Sequence, residues 1–154
     1  MSTGAKRFFL EAVKPTVDEF FRDARDIRRG RLAAIVLFHM ADYWNLESNK
    51  GATPKTLRDA LNILHRQFIK ECPDFRLIMD IANASKHDRL TIGTDRKLSS
   101  SDQITRTPGI FGAPFNTAAF NEASIVIVTH DDGTEQPLAG IVRSVLEMWE
   151  AKIQ

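Results

Sequence analysis

Apolar residues recur every three or four positions along most of the chain, a pattern that predicts a mainly helical protein. A first stripe covers residues 5–26, and Pro15 interrupts it, so a kink or break is expected there. Residues 31–46 are apolar on nearly every side, which is typical of a central helix packed by several neighbours. Two further helices are predicted over 53–72 and 75–88, each begun by a proline.

The periodicity changes after Arg89 and becomes that of short strands. Residues 90–94 and 103–107 alternate between polar and apolar in the manner of short strands, and residues 124–129 are predicted as a strand because their centre is all β-branched. An Asp-Gly pair at 132–133 predicts a hairpin turn, and residues 139–154 form a last amphipathic helix. The predicted fold class is therefore mainly α with a small β element (α+β). We expect an up-and-down bundle of four to five helices with a β-hairpin insert before the last helix.

Length and composition indicate one domain over residues 1–154, with the helical bundle at 5–88 and 139–154 and the β/loop insert at 90–138. The net charge of +1 provides no global field to attract nucleic acid or membrane. The longest apolar run is far shorter than the roughly 20 residues that a membrane span needs, so no membrane partner is expected. Cys72 is the single cysteine, which favours a cytoplasmic location.

The candidate site lies on the predicted helix 75–88, where Asp80, Asn83 and His87 fall at i, i+3 and i+7 on one face. Lys86 stands beside them. A carboxylate, an amide, an ammonium and an imidazole in this register are candidate catalytic groups, because imidazole and carboxylate exchange protons near neutral pH. The alternative is structural: these groups end a helix and anchor the β-insert that follows.

A second hypothesis concerns a small molecule or a metal ion held between His39, Asp80 and His87 from neighbouring helices. His39 lies within the apolar run of the central helix, and Asp42 is close enough to orient it. The competing interpretation is a buried, hydrogen-bonded core histidine. No His-x-x-x-His or Glu-x-x-His pair occurs in the chain, and no cofactor is expected because the phosphate-loop and dinucleotide fingerprints are absent.

Two other features of the sequence have both a functional and a structural interpretation. Five arginines between 22 and 31 could contact the phosphates of RNA or DNA, or they could form the solvated C-terminal end of the first helix before a turn at Gly30. The 107–123 segment carries Phe111, Phe115 and Phe120, which could cover a pocket or pin the loop to the core.

The sequence Asn83-Ala-Ser-Lys-His87, at the end of a bundle helix, resembles the region of HEPN-type helical domains that carries their ribonuclease motif. Asn83 and His87 match the polar residue and the histidine of that motif, while Ala82 occupies the arginine position. The resemblance covers residues 53–88 at most. It implies an RNA-cleaving site formed across a dimer, with Lys86 as the cation nearest to the histidine. The same segment is similar to helices of uncharacterised bacterial and phage proteins.

Two functions follow from these patterns. The missing catalytic fingerprints and the abundant apolar helices favour a binding or interaction protein that acts as a homodimer. The alternative is a HEPN-like ribonuclease or toxin-type protein with its site at Asn83, Lys86 and His87, for which RNA is the partner.

Overall fold

A computed structural model describes residues 3–93, 95–108 and 124–154 of the chain. Its helices are α1 (Gly4–Phe8), α2 (Lys14–Arg22), α3 (Ile27–Ser48), α4 (Pro54–Glu71), α5 (Asp74–His87) and α6 (Leu138–Ile153). Its strands are β1 (Ile104–Arg106), β2 (Val126–Thr129) and β3 (Glu135–Pro137), which pair antiparallel in the order β1-β2-β3. The mainly α class with a small β element before the last helix is confirmed.

The interruption at Pro15 takes the form of a π-helical turn. Residues Phe9–Val13 make this turn and join α1 to α2, so the chain stays helical from Gly4 to Arg22. The Lys14 amide donates to the Phe9 carbonyl, which is the wider i to i+5 spacing of a π-helix. Pro15 follows in the first turn of α2, where its missing amide hydrogen is tolerated.

Helix α3 begins earlier than predicted. The Asp26 carboxylate accepts from the Arg29 amide and caps the helix, so Arg28, Arg29 and Arg31 lie in its first turns. The prediction that these arginines end the first helix is wrong, and so is the turn at Gly30. Gly30 is a buried helical residue, and a Cβ there would lie 2.5 Å from a methyl carbon of Leu138.

Helices α4 and α5 begin and end as the sequence predicts. Thr53 caps α4 by accepting from the Thr56 amide, and Pro54 occupies its first position. Helix α3 is the centre of the bundle and packs against all five other helices. Trp149 of α6 donates from its indole nitrogen to the Leu37 carbonyl at 3.1 Å, which satisfies a buried polar group between α6 and α3.

The sheet covers one part of the helical core. Ile104, Val126 and Val128 are buried together with the helix residues of the hydrophobic core. The strand predicted at 90–94 is absent from its described part, residues 90–93, and Arg89 makes only an isolated bridge to Ser100.

The β2–β3 hairpin turns at Gly133, whose φ of 87° suits glycine. The predicted roles of Phe111, Phe115 and Phe120 lie outside the described residues. Within the described ranges, no helix is long and apolar enough to cross a membrane.

Candidate functional site

A cleft of about 530 Å³ opens beside the C-terminal half of α5. Its lining combines α5 with the loop that follows: Arg76, Met79, Asp80, Asn83, His87, Arg89, Leu90, Thr91, Ile92 and Arg96. Asp80, Asn83 and His87 therefore share one face, as their spacing predicts. Lys86, the fourth predicted residue, is exposed and does not line this cleft.

Asp80 acts as a structural anchor at the base of the cleft. It is 2% exposed, and its Oδ2 accepts from the Lys97 amide at 2.7 Å. Arg76 Nε lies 3.3 Å from the other carboxylate oxygen. Burial raises the pKa of Asp80, while the Lys97 amide and the Arg76 guanidinium favour its charged form. Asp80 thus holds the loop against α5, in agreement with the structural alternative.

Helix α5 ends in a strained turn that orients two cleft residues. Asp88 has φ 65° and ψ −53°, and the Arg89 amide donates to the His87 carbonyl at 2.7 Å. This is the geometry of a classic γ-turn, which is rare for residues other than glycine. Ser101 holds it in place, because its hydroxyl donates to Asp88 Oδ1 at 2.6 Å and its amide to the Asp88 carbonyl at 2.8 Å. The turn brings Arg89 to the same cleft as His87.

The opposite wall of the cleft is a fixed loop that carries Arg96. Arg96 Nη1 donates to the Gly93 carbonyl at 2.7 Å, and its Nε donates to Ser99 Oγ at 2.9 Å. Ser99 in turn donates to Asp131 Oδ2 at 2.6 Å, which ties the loop to the β2–β3 hairpin. Because its Nε and Nη1 are engaged, Arg96 presents a guanidinium of restricted orientation to the cleft.

Three cleft side chains have no structural partner in the part of the chain that the structure describes. Asn83, His87 and Arg89 make no side-chain hydrogen bond or ion pair with the described residues. The cleft contains three arginines, at 76, 89 and 96, against one carboxylate, which is already engaged with Arg76 and Lys97. Its unbalanced charge is therefore positive, and its unengaged amide and imidazole groups can contact a bound molecule.

The three residues of the metal hypothesis do not come together. His39 is exposed on α3, where its Nδ1 lies 3.1 Å from Asp42 Oδ2. Among the described residues, which include His39, Asp80 and His87, no group of three or more histidine, cysteine or acidic side chains is placed to hold a metal ion. The prediction of a buried core histidine at position 39 is wrong, because this side chain lies on the outward side of α3.

The sequence interpretation missed the three arginines of the cleft. Arg76 is four residues before Asp80 and seven before Asn83, so a helical projection would have placed it on the same face. Arg89 and Arg96 gave no periodic signal, since the Asp88 turn and the contacts of Ser99 determine where they lie. Such contacts join residues far apart in the chain and are not visible in a local pattern.

The resemblance to HEPN domains stays a prediction. At its arginine position, Ala82 is 5% exposed, whereas Arg76 and Arg89, which do not occupy that position, both reach the cleft. In comparisons with known proteins, no family model matches the chain, and no curated protein or solved structure is significantly similar to it.

Proposed function

We propose that this protein binds an anionic, phosphate-bearing ligand in the cleft between α5 and the 89–96 loop. One observation carries the proposal: Arg76, Arg89 and Arg96 line the same 530 Å³ cleft as Asn83 and His87. The volume is within the range of small-molecule sites, roughly 300–1,000 Å³. A net charge of +1 for the whole chain makes this concentration of arginines a local feature.

The chemistry of the lining suits a phosphate group. Guanidinium groups present paired donors that match phosphate oxygens, and a guanidinium of fixed orientation loses little entropy on binding. Arg96 is fixed by Gly93 and Ser99, and Arg89 has no ion-pair partner among the described residues. The Asn83 amide and the His87 ring add a hydrogen-bond donor or acceptor beside them.

Apolar residues complete the cleft and favour a ligand that is more than a bare ion. Met79, Leu90 and Ile92 line it, and Ile92 is 91% exposed at its rim. An exposed isoleucine next to arginines gives an apolar surface for the remainder of a phosphorylated molecule. We place this binding activity in the cytoplasm, where the single cysteine stays reduced.

Binding is tested by calorimetry with two probes, inorganic phosphate and a short single-stranded RNA. We expect Arg89→Ala to weaken binding of the preferred probe by about tenfold, since a hydrogen bond to a charged group contributes roughly 1.5–3 kcal/mol. Lys86→Ala is the matched control, because it removes one positive charge three residues away and outside the cleft. Equal losses of affinity in the two variants would show that only the overall charge matters, and would contradict the proposal.

The second candidate function is ribonuclease activity, and one observation favours it. His87 is exposed and shares the cleft with three arginines, so an acid/base group and cations that stabilise a phosphate are adjacent. If the cleft cleaves RNA, His87→Ala abolishes cleavage while RNA binding persists within a few-fold. An RNA substrate that remains intact with wild-type protein at saturating binding excludes the nuclease and leaves the binding function.

A further inference from the structure

The outward face of α3 carries a mainly apolar stripe that stays partly exposed in the described chain. Its members follow one another at intervals of four and three residues: Leu32, Val36, His39, Tyr43 and Leu46. Leu32 and Tyr43 are each 40% exposed and Leu46 is 53% exposed. We call these five residues the outer stripe. Alternating spacings of four and three are the seam pattern along which two helices pack.

The opposite side of the same helix already forms the core of the bundle. Ala33, Leu37 and Met40 are fully buried there. Within the outer stripe, the ring of Phe8 stacks on Tyr43 with centroids 4.0 Å apart and leaves Tyr43 40% exposed. The outer stripe is therefore an additional apolar surface, on a helix held rigidly by its other contacts. A rigid, preformed surface loses little conformational entropy when another helix packs on it.

Charge is distributed unevenly along α3. Arg28 and Arg31 lie near its N-terminus, and Asp42 and Glu47 lie near its C-terminus. This order opposes the helix dipole, which favours anions at the N-terminus and cations at the C-terminus. A second helix running antiparallel would bring the acidic half of one copy to the basic half of the other. Both the side-chain charges and the dipoles of the two helices would then attract.

The basic half of the stripe also borders a groove. This groove has a volume of about 450 Å³ and is lined by Ile27, Arg28, Arg31, Leu32, Ile35 and Ser85. Leu46, the most exposed apolar member of the stripe, lies at the other end of the same helix. In an antiparallel pair, Leu46 of each copy reaches the groove of the other, so the contact is self-complementary as a two-fold interface requires.

We infer that the outer stripe is the interface of a homodimer, in which α3 packs antiparallel on α3 of a second copy with His39 close to the two-fold axis. Position 39 is the midpoint of the stripe between Leu32 and Leu46. The inference does not depend on the ligand cleft, which involves none of the stripe residues.

The oligomeric mass, measured by sedimentation equilibrium over a wide concentration range, is the first test. We expect twice the chain mass of 17.4 kDa for the wild type. Leu46→Lys places a cation against Arg28 and Arg31 of the other copy and should raise the dimer dissociation constant at least tenfold. Ile63→Lys is the matched control, since Ile63 is 51% exposed but lies on α4, and it should leave the dissociation constant unchanged.

A charge reversal distinguishes this pairing from other dimers. Adding Arg28→Glu to Leu46→Lys should restore dimerisation, because the new lysine then meets a carboxylate across the interface. A wild-type monomer at all concentrations overturns the inference. So does a dimer that Leu46→Lys does not weaken, because its interface would then lie elsewhere.

Disulfide trapping tests the antiparallel direction in a Cys72→Ser background. His39→Cys should cross-link two copies, because this position is near the axis. Leu46→Cys should not, because the two copies of residue 46 would be about 21 Å apart along the helix axis. Efficient cross-linking at both positions would indicate a parallel pair and overturn the arrangement.

Discussion

The lack of a side chain at Gly30 allows three helices to pack closely. It lies within α3, and a Cβ there would come within 2.5 Å of Leu138 Cδ2 and 3.1 Å of Phe20 Cε2. Both neighbours are fully buried, so neither can move away freely. The absence of a side chain is thus what allows α2 and α6 to approach α3 at this level.

We predict that Gly30→Ala lowers the free energy of unfolding by about 1–2 kcal/mol. Overpacking a core costs roughly 1–3 kcal/mol, and the higher helix propensity of alanine offsets up to about 1 kcal/mol of this. Urea denaturation measures the difference. Gly140→Ala is the control of opposite sign, because Gly140 lies in α6 with no atom within 4 Å of an added Cβ. That variant should be neutral or more stable, and stabilisation by both would contradict the packing argument.

The loop that carries Arg96 is an element without strand or helix, so side-chain contacts determine its conformation. Gln103 Oε1 accepts from the Ser99 and Ser100 amides at 2.8 and 2.7 Å, while its Nε2 donates to Asp131 Oδ1 at 2.9 Å. The Ser99 hydroxyl donates to the other oxygen of Asp131. These contacts connect the cleft to the β2–β3 hairpin.

We expect Asp131→Asn to loosen this loop without unfolding the protein. Asparagine lacks the negative charge of the carboxylate that accepts from Ser99 and Gln103. Hydrogen exchange at the Ser99 and Ser100 backbone amides should therefore accelerate about tenfold, which corresponds to the loss of one charge-assisted hydrogen bond. Affinity for the cleft ligand should fall as well, because Ser99 orients Arg96. Asp132→Asn is the control, since the Asp132 side chain accepts from Thr134 in its own turn and contacts neither Ser99 nor Gln103. Equal exchange in the two variants would contradict the role of Asp131.

The same contacts give the loop a defined pH dependence. The hydrogen bond from the Ser99 hydroxyl lowers the pKa of Asp131 below its usual 3.8, and the hydrogen bond from Gln103 adds a smaller effect in the same direction. The folded state therefore favours the carboxylate, so this contribution is fully present well above pH 3.8 and is lost as the pH falls through the lowered pKa. The protection factors of the loop amides, which correct for the intrinsic pH dependence of exchange, should thus fall in acid for the wild type, while Asp131→Asn removes this component.

At the scale of the whole molecule, the sequence was sufficient to predict a helix or strand wherever one local pattern determined that element. Proline and a capping threonine defined the start of α4, and apolar periodicity defined α5 and α6. The sequence pattern was insufficient where contacts between residues far apart in the chain determine the position of a side chain. Arg96 reaches the cleft because Asp131 holds Ser99, and His39 is exposed because the core lies on the other side of α3. Within the cleft, only the residues on α5 could be predicted from spacing.

Helix α4 is attached to the bundle more weakly than its neighbours, and His65 lies at that attachment. Phe68 is the one buried residue among the residues of α4 that the structure describes. The His65 ring packs against Phe38 of α3 at 5.2 Å and Phe75 of α5 at 6.0 Å between centroids. Its Nε2 is buried and has no hydrogen-bond partner among the described residues. The imidazole thus occupies a position suited to its neutral form.

Acid should therefore weaken the whole bundle through this one residue. Burial lowers the pKa of His65 below 6.5, and the more distant Asp42 carboxylate only partly opposes this. Because the folded pKa lies below the unfolded value, the stabilisation is complete above about pH 6.5 and declines as the pH falls towards the folded pKa. We expect His65→Leu to flatten the unfolding free energy between pH 7 and pH 5, as measured by urea denaturation at each pH. His87→Gln, which changes an exposed histidine, should retain the wild-type dependence of the unfolding free energy on pH. If His65→Leu retains that dependence too, protonation of another group controls the acid sensitivity of the bundle.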